Sequence, residues 1–172
     1  GMIENPERFN RTMALLDAAN AEDPNTEDNQ PKELLYAQRM TGMLTRFAPD
    51  ADETVQLAVR AQHIRRWEIP RTSYPEGREG YNRWRAACRT HHATLTSAIM
   101  ARHGYGPDVI AHVAKIIRKE QLKTVPDVIR DDLKAALTTP ADKRNEVQKY
   151  LFKKFNEIFQ KAYANDPDWP KL

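Results

Sequence analysis

Hydrophobic residues in the first two thirds of this chain recur mostly three and four positions apart, the spacing of a helix face. The first stripe follows Asn5-Pro6-Glu7, and the second follows Pro31; both are sequences that favour a helix start. A third stripe begins near Asp52, runs into Trp67 and stops by Pro70, and a long fourth one starts near Gly80. Gly104-Tyr105-Gly106-Pro107 is a strong stop-and-restart signal before a fifth. The pattern therefore predicts five core helices, with apolar stripes that include Phe9, Met13, Leu16, Leu34, Met40, Leu44, Val55, Leu57, Ile64, Trp84, Cys88, Ile99, Val113 and Ile117.

The pattern of hydrophobic and polar residues changes beyond Thr124. Residues 126–137 favour a short helix, and Thr139-Pro140-Ala141 opens a longer amphipathic one that needs a covering surface for its apolar stripe. The stripe consists of Val147, Leu151, Phe155, Ile158 and Phe159. We therefore predict an all-α protein with a helical core over 5–124 and a helical pair over 125–172, packed on the core or on a second protomer in a homodimer.

Composition narrows the class of protein more than it indicates a function. The chain has 172 residues, one cysteine and a net charge of +3, so nucleic-acid binding does not follow from the total charge. Cys88 alone excludes an internal disulfide and a cysteine zinc cage, and without a CxxCH motif no haem is expected. No apolar run approaches the roughly 18 residues that span a bilayer, and no signal-peptide core is present. We expect a cytoplasmic protein with no membrane partner.

Local charge is more informative. Between Arg60 and Arg89 lie eight arginines against three acids, with tryptophans and tyrosines interleaved. Guanidinium groups bind two phosphate oxygens at once, and aromatic faces accept a base or a sugar. The alternative is a solvated helix–loop–helix whose arginines pair with its own acids. The predicted ligand-binding residues are Arg66, Trp67, Arg71, Tyr74, Arg78 and Trp84, and the ligand is a phosphate-containing small molecule or a nucleotide.

The histidines add candidate chemistry. His63 ends an otherwise apolar helix, and His91-His92 lie midway along the next long helix, so antiparallel packing would bring the two regions together. Adjacent helical residues point about 100° apart, so only one of His91 and His92 can join a site. Glu33 is a candidate general base. We predict His63 and Glu33 as catalytic residues, and His63 and His92 as ligands of a divalent metal; the alternative is surface or hydrogen-bonded core histidines.

The middle of the sequence also resembles a known family. The segments are ELLYAQRMTGMLTRFAPDADETVQLAVRAQHIRRWEIPRTSYPEGREGYNRWR, HHATLTSAIMARHGYG and VAKIIRKEQLKT, of which RAQHIRRWEIPRTSYP is the most specific. They resemble an uncharacterised bacterial and fungal family that is sometimes labelled glutamyl-tRNA synthetase-like, over roughly residues 5 to 124. That family has no assigned activity.

A more remote similarity is to the HD phosphohydrolase superfamily, which implies an HD-like helical bundle and metal-dependent phosphohydrolysis. The resemblance puts His63 at the histidine of the His-Asp pair, but Ile64 stands where the aspartate would be. Tyr36 stands near the first histidine, and His91 or His92 at a later one. The resemblance therefore implies an incomplete set of metal ligands, together with a retained helical scaffold and basic pocket.

The C-terminal segment VPDVIRDDLKAALTTPADKRNEVQKYLFKKF instead resembles part of planctomycete-type cytochrome-associated proteins. A natural fusion, a divergent terminus and an artificial addition all remain open. The sequence as a whole is compatible with three alternative functions. The first is a metal-assisted phosphohydrolase or phosphate-ligand enzyme. The second is a non-catalytic module that binds a nucleotide or RNA, and the third is a helical protein-interaction domain.

Overall fold

The computed structural model describes residues 2–118, 135–136, 138–146, 148–149 and 152–153. The chain divides into two compact units, residues 1–121 and 122–172, and each unit is described by itself. In the first unit the α-helices are α1 (Pro6–Ala21), α2 (Lys32–Phe47), α3 (Glu53–Arg60), α4 (Arg78–Arg102) and α5 (Pro107–Arg118). The predicted all-α class and the five core helices are confirmed within residues 2–118; the HD-like arrangement and the boundary at residue 124 stay predictions.

Helix starts follow the expected residues. Asn5 caps α1 by accepting a hydrogen bond from the backbone N–H of Arg8 at 3.1 Å, and Pro6 is the first helical residue. Gly104 has φ +85°, the left-handed conformation that ends a helix, and α5 then begins at Pro107. The stop-and-restart signal between α4 and α5 is therefore confirmed.

A short antiparallel hairpin between α1 and α2 is a feature that hydrophobic periodicity did not predict. Strand β1 (Thr26–Glu27) pairs with β2 (Gln30–Pro31), and the intervening Asp28 and Asn29 both have positive φ values, 53° and 60°. Two left-handed residues of this type make the turn that favours a tight hairpin. The stretch expected only to break the helical pattern thus has a structure of its own.

The prediction that the third helix runs into Trp67 is wrong, because α3 ends at Arg60. Residues 61–65 form successive turns, and two 3-10 helices follow, η1 (Arg66–Glu68) and η2 (Arg71–Ser73). Arg65 adopts a left-handed conformation with φ 50°, and its backbone N–H donates to the buried side-chain oxygen of Asn20 at 3.0 Å. This change of direction places His63 outside a regular helix.

The core of the first unit combines apolar residues from all five helices. Its fully buried members include Leu16, Leu57, Ile64, Met100 and Val113. The stripes predicted from spacing supply all of these residues except Met100, which directly follows the predicted Ile99 on α4. Within the described residues, no helix is long and apolar enough to cross a membrane.

Helix α4 starts two residues earlier than the expected Gly80 and packs closely on the preceding loop. A Cβ atom placed on Gly80 would lie 1.8 Å from the carbonyl oxygen of Pro75. Any side chain at this position would displace the backbone of the loop. Gly80 thus holds residues 71–77 against the first turns of α4.

The second unit is described in part. It contains a 3-10 helix at Ala141–Lys143, and the Nε of Arg144 donates to the carbonyl oxygens of Ala136 at 2.7 Å and Thr139 at 3.0 Å. The predicted stripe of Val147, Leu151, Phe155, Ile158 and Phe159 lies outside the described residues.

Candidate functional site

His63 is held by contacts from the first turns of α2. Its Nδ1 lies 3.1 Å from Oε2 of Glu33, and the two side chains are 17% and 8% exposed. Glu33 is fixed in turn by the buried Asp23, whose carboxylate accepts the backbone N–H groups of Glu33 and Asn25, each at 2.9 Å. The hairpin and the start of α2 therefore position the carboxylate that orients His63.

Tyr36 covers one face of the His63 imidazole. The two rings are stacked with centroids 3.9 Å apart and 5° between their planes. The tyrosine hydroxyl donates to Oε1 of Gln62 at 3.2 Å, and burial raises the pKa of Tyr36. Tyr36 is thus a neutral, fixed wall of the site at physiological pH.

The protonation state of His63 follows from its surroundings. Burial lowers the pKa of His63 below its usual value, the hydrogen bond and charge of Glu33 oppose that shift, and the positive charges of Arg66 and Arg85 add to it. The imidazole is therefore neutral at pH 7. Because the Glu33 carboxylate can only accept, we infer that Nδ1 carries the proton and that Nε2 carries the lone pair. Among the described residues Nε2 has no hydrogen-bond partner.

Helix α4 contributes His92 rather than His91 to this region. The His92 ring is 1% exposed, and its centroid lies 6.3 Å from that of His63. Nδ1 of His92 lies 2.8 Å from the carbonyl oxygen of Ile64, so it donates there. Burial, assisted by the neighbouring His63, lowers the pKa of His92 to about 3. His91 points elsewhere, with Nε2 3.0 Å from a carboxylate oxygen of Glu68.

A metal centre is poorly supported by these residues. Within the part of the chain that the structure describes, no group of three or more histidine, cysteine, aspartate or glutamate side chains comes together as a metal site. His63 and His92 would supply two imidazoles, and Ile64, the residue that follows His63, is fully buried and has no ligand atom.

Three half-buried arginines lie near Cys88 and are called the arginine cluster: Arg66, Arg85 and Arg89. Arg66 and Arg85 also lie near His63. All three lie close enough to Cys88 for their charges to lower the pKa of its thiol, although burial raises that pKa by more. Arg66 also lies 4.9 Å above the ring of Trp84. Neither Arg66 nor Arg89 forms an ion pair with any carboxylate among the described residues.

Of this cluster, the sequence predicted only Arg66 as a ligand-binding residue. Arg85 and Arg89 lie four residues apart on α4, and Cys88 lies on the neighbouring buried face. That spacing is the signal that could have found them. It becomes informative only when the loop that carries Arg66 is known to return to the same face.

Two of the predicted ligand-binding residues have structural roles. The guanidinium of Arg71 donates to the carbonyl oxygens of Tyr74 (3.1 Å), Pro75 (2.9 Å) and Gly77 (3.3 Å), which closes the loop. Trp84 is 8% exposed and donates its indole N–H to the carbonyl oxygen of Ile69 at 2.7 Å. Both residues therefore shape the loop, and the ring of Trp84 is no open stacking surface.

The remaining predicted residues lie nearer the surface. Trp67 is half-buried with the guanidinium of Arg65 5.1 Å above its ring, and Tyr74 is half-buried with that of Arg83 at 6.0 Å. Arg78 is exposed at the first residue of α4.

Two other arginines fit the alternative in which arginines pair with the protein's own acids. Arg60 forms two hydrogen bonds with Asp17, at 2.7 and 2.8 Å. Arg65 pairs with Glu22 and with Glu68, the latter at 2.9 Å. The structure thus separates the arginines that join its elements from those of the arginine cluster.

The sequence of the chain matches a known protein family. The model described as "Domain of unknown function (DUF4202)" matches residues 10–138, which extends past the predicted end of the family segment at residue 124. No curated protein and no solved structure matches the chain. The expected uncharacterised family is thereby confirmed, whereas the links to HD phosphohydrolases, to glutamyl-tRNA synthetases and to cytochrome-associated proteins are not shown. Because the match covers most of the chain, the protein belongs to the DUF4202 family.

Proposed function

We propose that the first unit binds a phosphate-containing ligand at the arginine cluster, next to His63. One observation carries the proposal: no described carboxylate neutralises the half-buried Arg66 or Arg89. The charges of Arg66 and Arg85 also act on the neutral His63. Half-buried guanidinium groups without a counter-ion are costly unless an anion binds them. Phosphate suits them because its oxygens accept two parallel hydrogen bonds from each guanidinium.

The histidine adds a proton-dependent contact to this site. In the free protein the Nε2 of His63 has a lone pair, which would repel a phosphate oxygen. Binding of an anion would offset the charges of Arg66 and Arg85 and would thereby raise the pKa of His63. Once protonated, His63 donates from Nε2 while Glu33 still accepts from Nδ1. We therefore expect the pKa of His63 to be higher in the phosphate complex than in the free protein.

The test compares two double variants of the full chain by titration calorimetry with inorganic phosphate and pyrophosphate. Arg66→Gln/Arg89→Gln should lower the affinity at least tenfold, since one charged hydrogen bond contributes about 1.5–3 kcal/mol. Arg11→Gln/Arg102→Gln is the matched control, because it removes the same charge from exposed positions on α1 and α4. Equal losses in the two variants, or no saturable binding to the wild-type chain, would refute the proposal.

Phosphohydrolysis is the second candidate, which the remote HD resemblance implies and one observation favours. The Glu33 carboxylate holds His63 in the tautomer whose Nε2 can accept a proton from an attacking water molecule. In this role His63 is the base, and Glu33 orients it and stabilises the imidazolium that forms. The described residues fit a metal centre poorly, so this role of His63 involves only the side chains of the protein and water.

This candidate is tested by release of inorganic phosphate from p-nitrophenyl phosphate, measured with added manganese and with chelator. His63→Gln should abolish turnover, whereas pyrophosphate binding through Arg66 and Arg89 should persist. Turnover that survives in His63→Gln would refute the catalytic role. Binding without any turnover would leave the first proposal standing as a non-catalytic function.

A further inference from the structure

A second cationic surface lies on the loop between α3 and α4 and on the first turns of α4. We call it the arginine–tyrosine surface, and its members are Arg71, Tyr74, Arg78, Tyr81 and Arg83. We propose that this surface binds a single strand of nucleic acid, with a base stacked on Tyr81 and the backbone phosphates on Arg78 and Arg83. The inference is independent of the phosphate ligand proposed above.

The exposure of Tyr81 is the first observation. Its ring is 41% exposed, and among the described residues the only other large hydrophobic side chain this exposed is Met2, near the chain end. Guanidinium carbons of Arg71 and Arg85 lie 5.9 and 5.7 Å from the ring centroid, close enough for cation–π attraction. An exposed aromatic ring between cations is the arrangement that binds a base next to its phosphate.

The charge of the surface is the second observation. Arg78 and Arg83 are exposed, and neither pairs with a carboxylate in the part of the chain that the structure describes. Glu76 and Glu79 are the acids of the segment, and no ion pair joins them to these arginines. The surface therefore keeps a positive potential that favours a polyanion.

Its rigidity is the third observation. The contact of Gly80 with Pro75 presses the loop onto α4, and Arg71 donates to three loop carbonyl groups. This packing brings the ring of Tyr74 to 6.0 Å from the guanidinium of Arg83. A surface that is already ordered loses little conformational entropy on binding, which favours a flexible single strand as its partner.

The exposed tyrosine ring of this surface favours a nucleic acid over an acidic peptide as its ligand. An acidic peptide would use the guanidinium groups but would gain little from an exposed tyrosine, whereas each base of a single strand offers a face for stacking. No described feature selects ribose over deoxyribose, so RNA and DNA strands share the proposed chemistry. Both are included in the experiment.

The experiment measures fluorescence anisotropy of labelled oligouridine and oligothymidine, each of twelve nucleotides, with the full chain over a range of salt concentrations. We expect Tyr81→Ala to weaken binding about tenfold, since the variant has no ring on which a base can stack, and Tyr81→Phe to retain the affinity. Arg78→Gln/Arg83→Gln should weaken binding and reduce the slope of log affinity against log salt by about 1.4, that is, about 0.7 for each phosphate that the variant no longer neutralises.

The control variants separate this surface from bulk charge and from the arginine cluster. Arg11→Gln/Arg102→Gln removes the same charge elsewhere, and Arg66→Gln removes a residue of the proposed phosphate site; both should bind the strands like wild type. The proposal is overturned by three results: no binding by the wild-type chain, unchanged affinity in Tyr81→Ala, or equal losses in Arg11→Gln/Arg102→Gln. A Glu-rich peptide that displaces the strand and loses affinity with the same variants would assign the surface to acidic proteins instead. Thermal unfolding of each variant verifies that the fold is retained.

Discussion

Acid should destabilise this protein through His92, and the structure sets both the direction and the size of the effect. His92 is 1% exposed, donates from Nδ1 to the carbonyl oxygen of Ile64, and has a pKa lowered to about 3, chiefly by burial. In the unfolded chain a histidine has a pKa near 6.5. Between these two values the unfolded state binds a proton that the folded state does not, so protonation favours unfolding.

The magnitude follows from the difference between the two pKa values. At pH 5 the unfolded histidine is almost fully protonated and the folded one is neutral. The free energy of unfolding should then be lower by about 2 kcal/mol than at pH 8, since each unit below the unfolded pKa costs about 1.4 kcal/mol. That loss is a sizeable part of the roughly 5–15 kcal/mol that stabilises a domain. The contribution is fully present above pH 6.5 and continues to decline until about pH 3.

Urea unfolding at pH 8 and pH 5 measures this difference, and a pair of variants isolates it from the titration of carboxylates. His92→Asn keeps a donor near the position of Nδ1 but has no group that titrates in this range, so its stability should change with pH by about 2 kcal/mol less than wild type. His112→Asn removes an exposed histidine and should behave like wild type. If His92→Asn and wild type lose the same stability between pH 8 and pH 5, His92 is not a buried neutral histidine and the reasoning fails.

Two further predictions concern the loop and the charge at His63. Gly80→Ala should lower the free energy of unfolding by about 2 kcal/mol or more, because its Cβ would meet the Pro75 carbonyl. Gly42→Ala, in an exposed and open position within α2, should raise stability by about 0.5–1 kcal/mol; similar effects of the two changes in urea unfolding would contradict the close contact. Glu33→Gln should lower the pKa of His63 further, because the carboxylate opposes the effect of burial; an NMR titration that shows a higher pKa would disprove this.

Helical periodicity was sufficient to predict the five helices and their buried faces. Leu16, Leu57 and Val113 are fully buried members of the predicted stripes, because apolar spacing and burial follow from the same geometry. Periodicity could not predict the hairpin, since two-residue strands are too short to show alternation. The signal was the polar pair Asp28-Asn29, whose tolerance of positive φ allows a tight turn.

The end of α3 was mispredicted for a related reason. Ile64 continues the apolar stripe of α3 and is fully buried, yet it lies in a turn beyond the last helical residue. A buried residue after a helix looks the same in sequence as a residue inside it. The chain turns because the side chain of Asn20, distant in sequence, accepts the backbone N–H of Arg65. Contacts over such separations cannot be inferred from local spacing.

The candidate site was predicted in part for reasons that lie in its chemistry. Sequence places a histidine after an apolar stripe and a carboxylate near a helix start, and titratable groups at such partly buried positions are candidates for a functional site. The structure brings His63, Glu33 and His92 together. The roles of the arginines could not be assigned in the same way. The sequence shows only that each arginine is positively charged. The contacts of its guanidinium in the folded protein decide whether it joins two elements or stays available to a ligand.

The sorting of the arginines also explains why binding is better supported than catalysis. Arg60 is neutralised by Asp17, and Arg71 donates to backbone carbonyl groups, so these two side chains stabilise the fold. If the segment served only the fold, Arg66 and Arg89 should have such partners as well, because a half-buried charge without one costs free energy. Among the described residues they have none. An anion that binds there would offset that cost, whereas catalysis would further require a reacting group placed against the Nε2 of His63. The arginine cluster therefore supports a ligand more directly than the histidine supports a reaction.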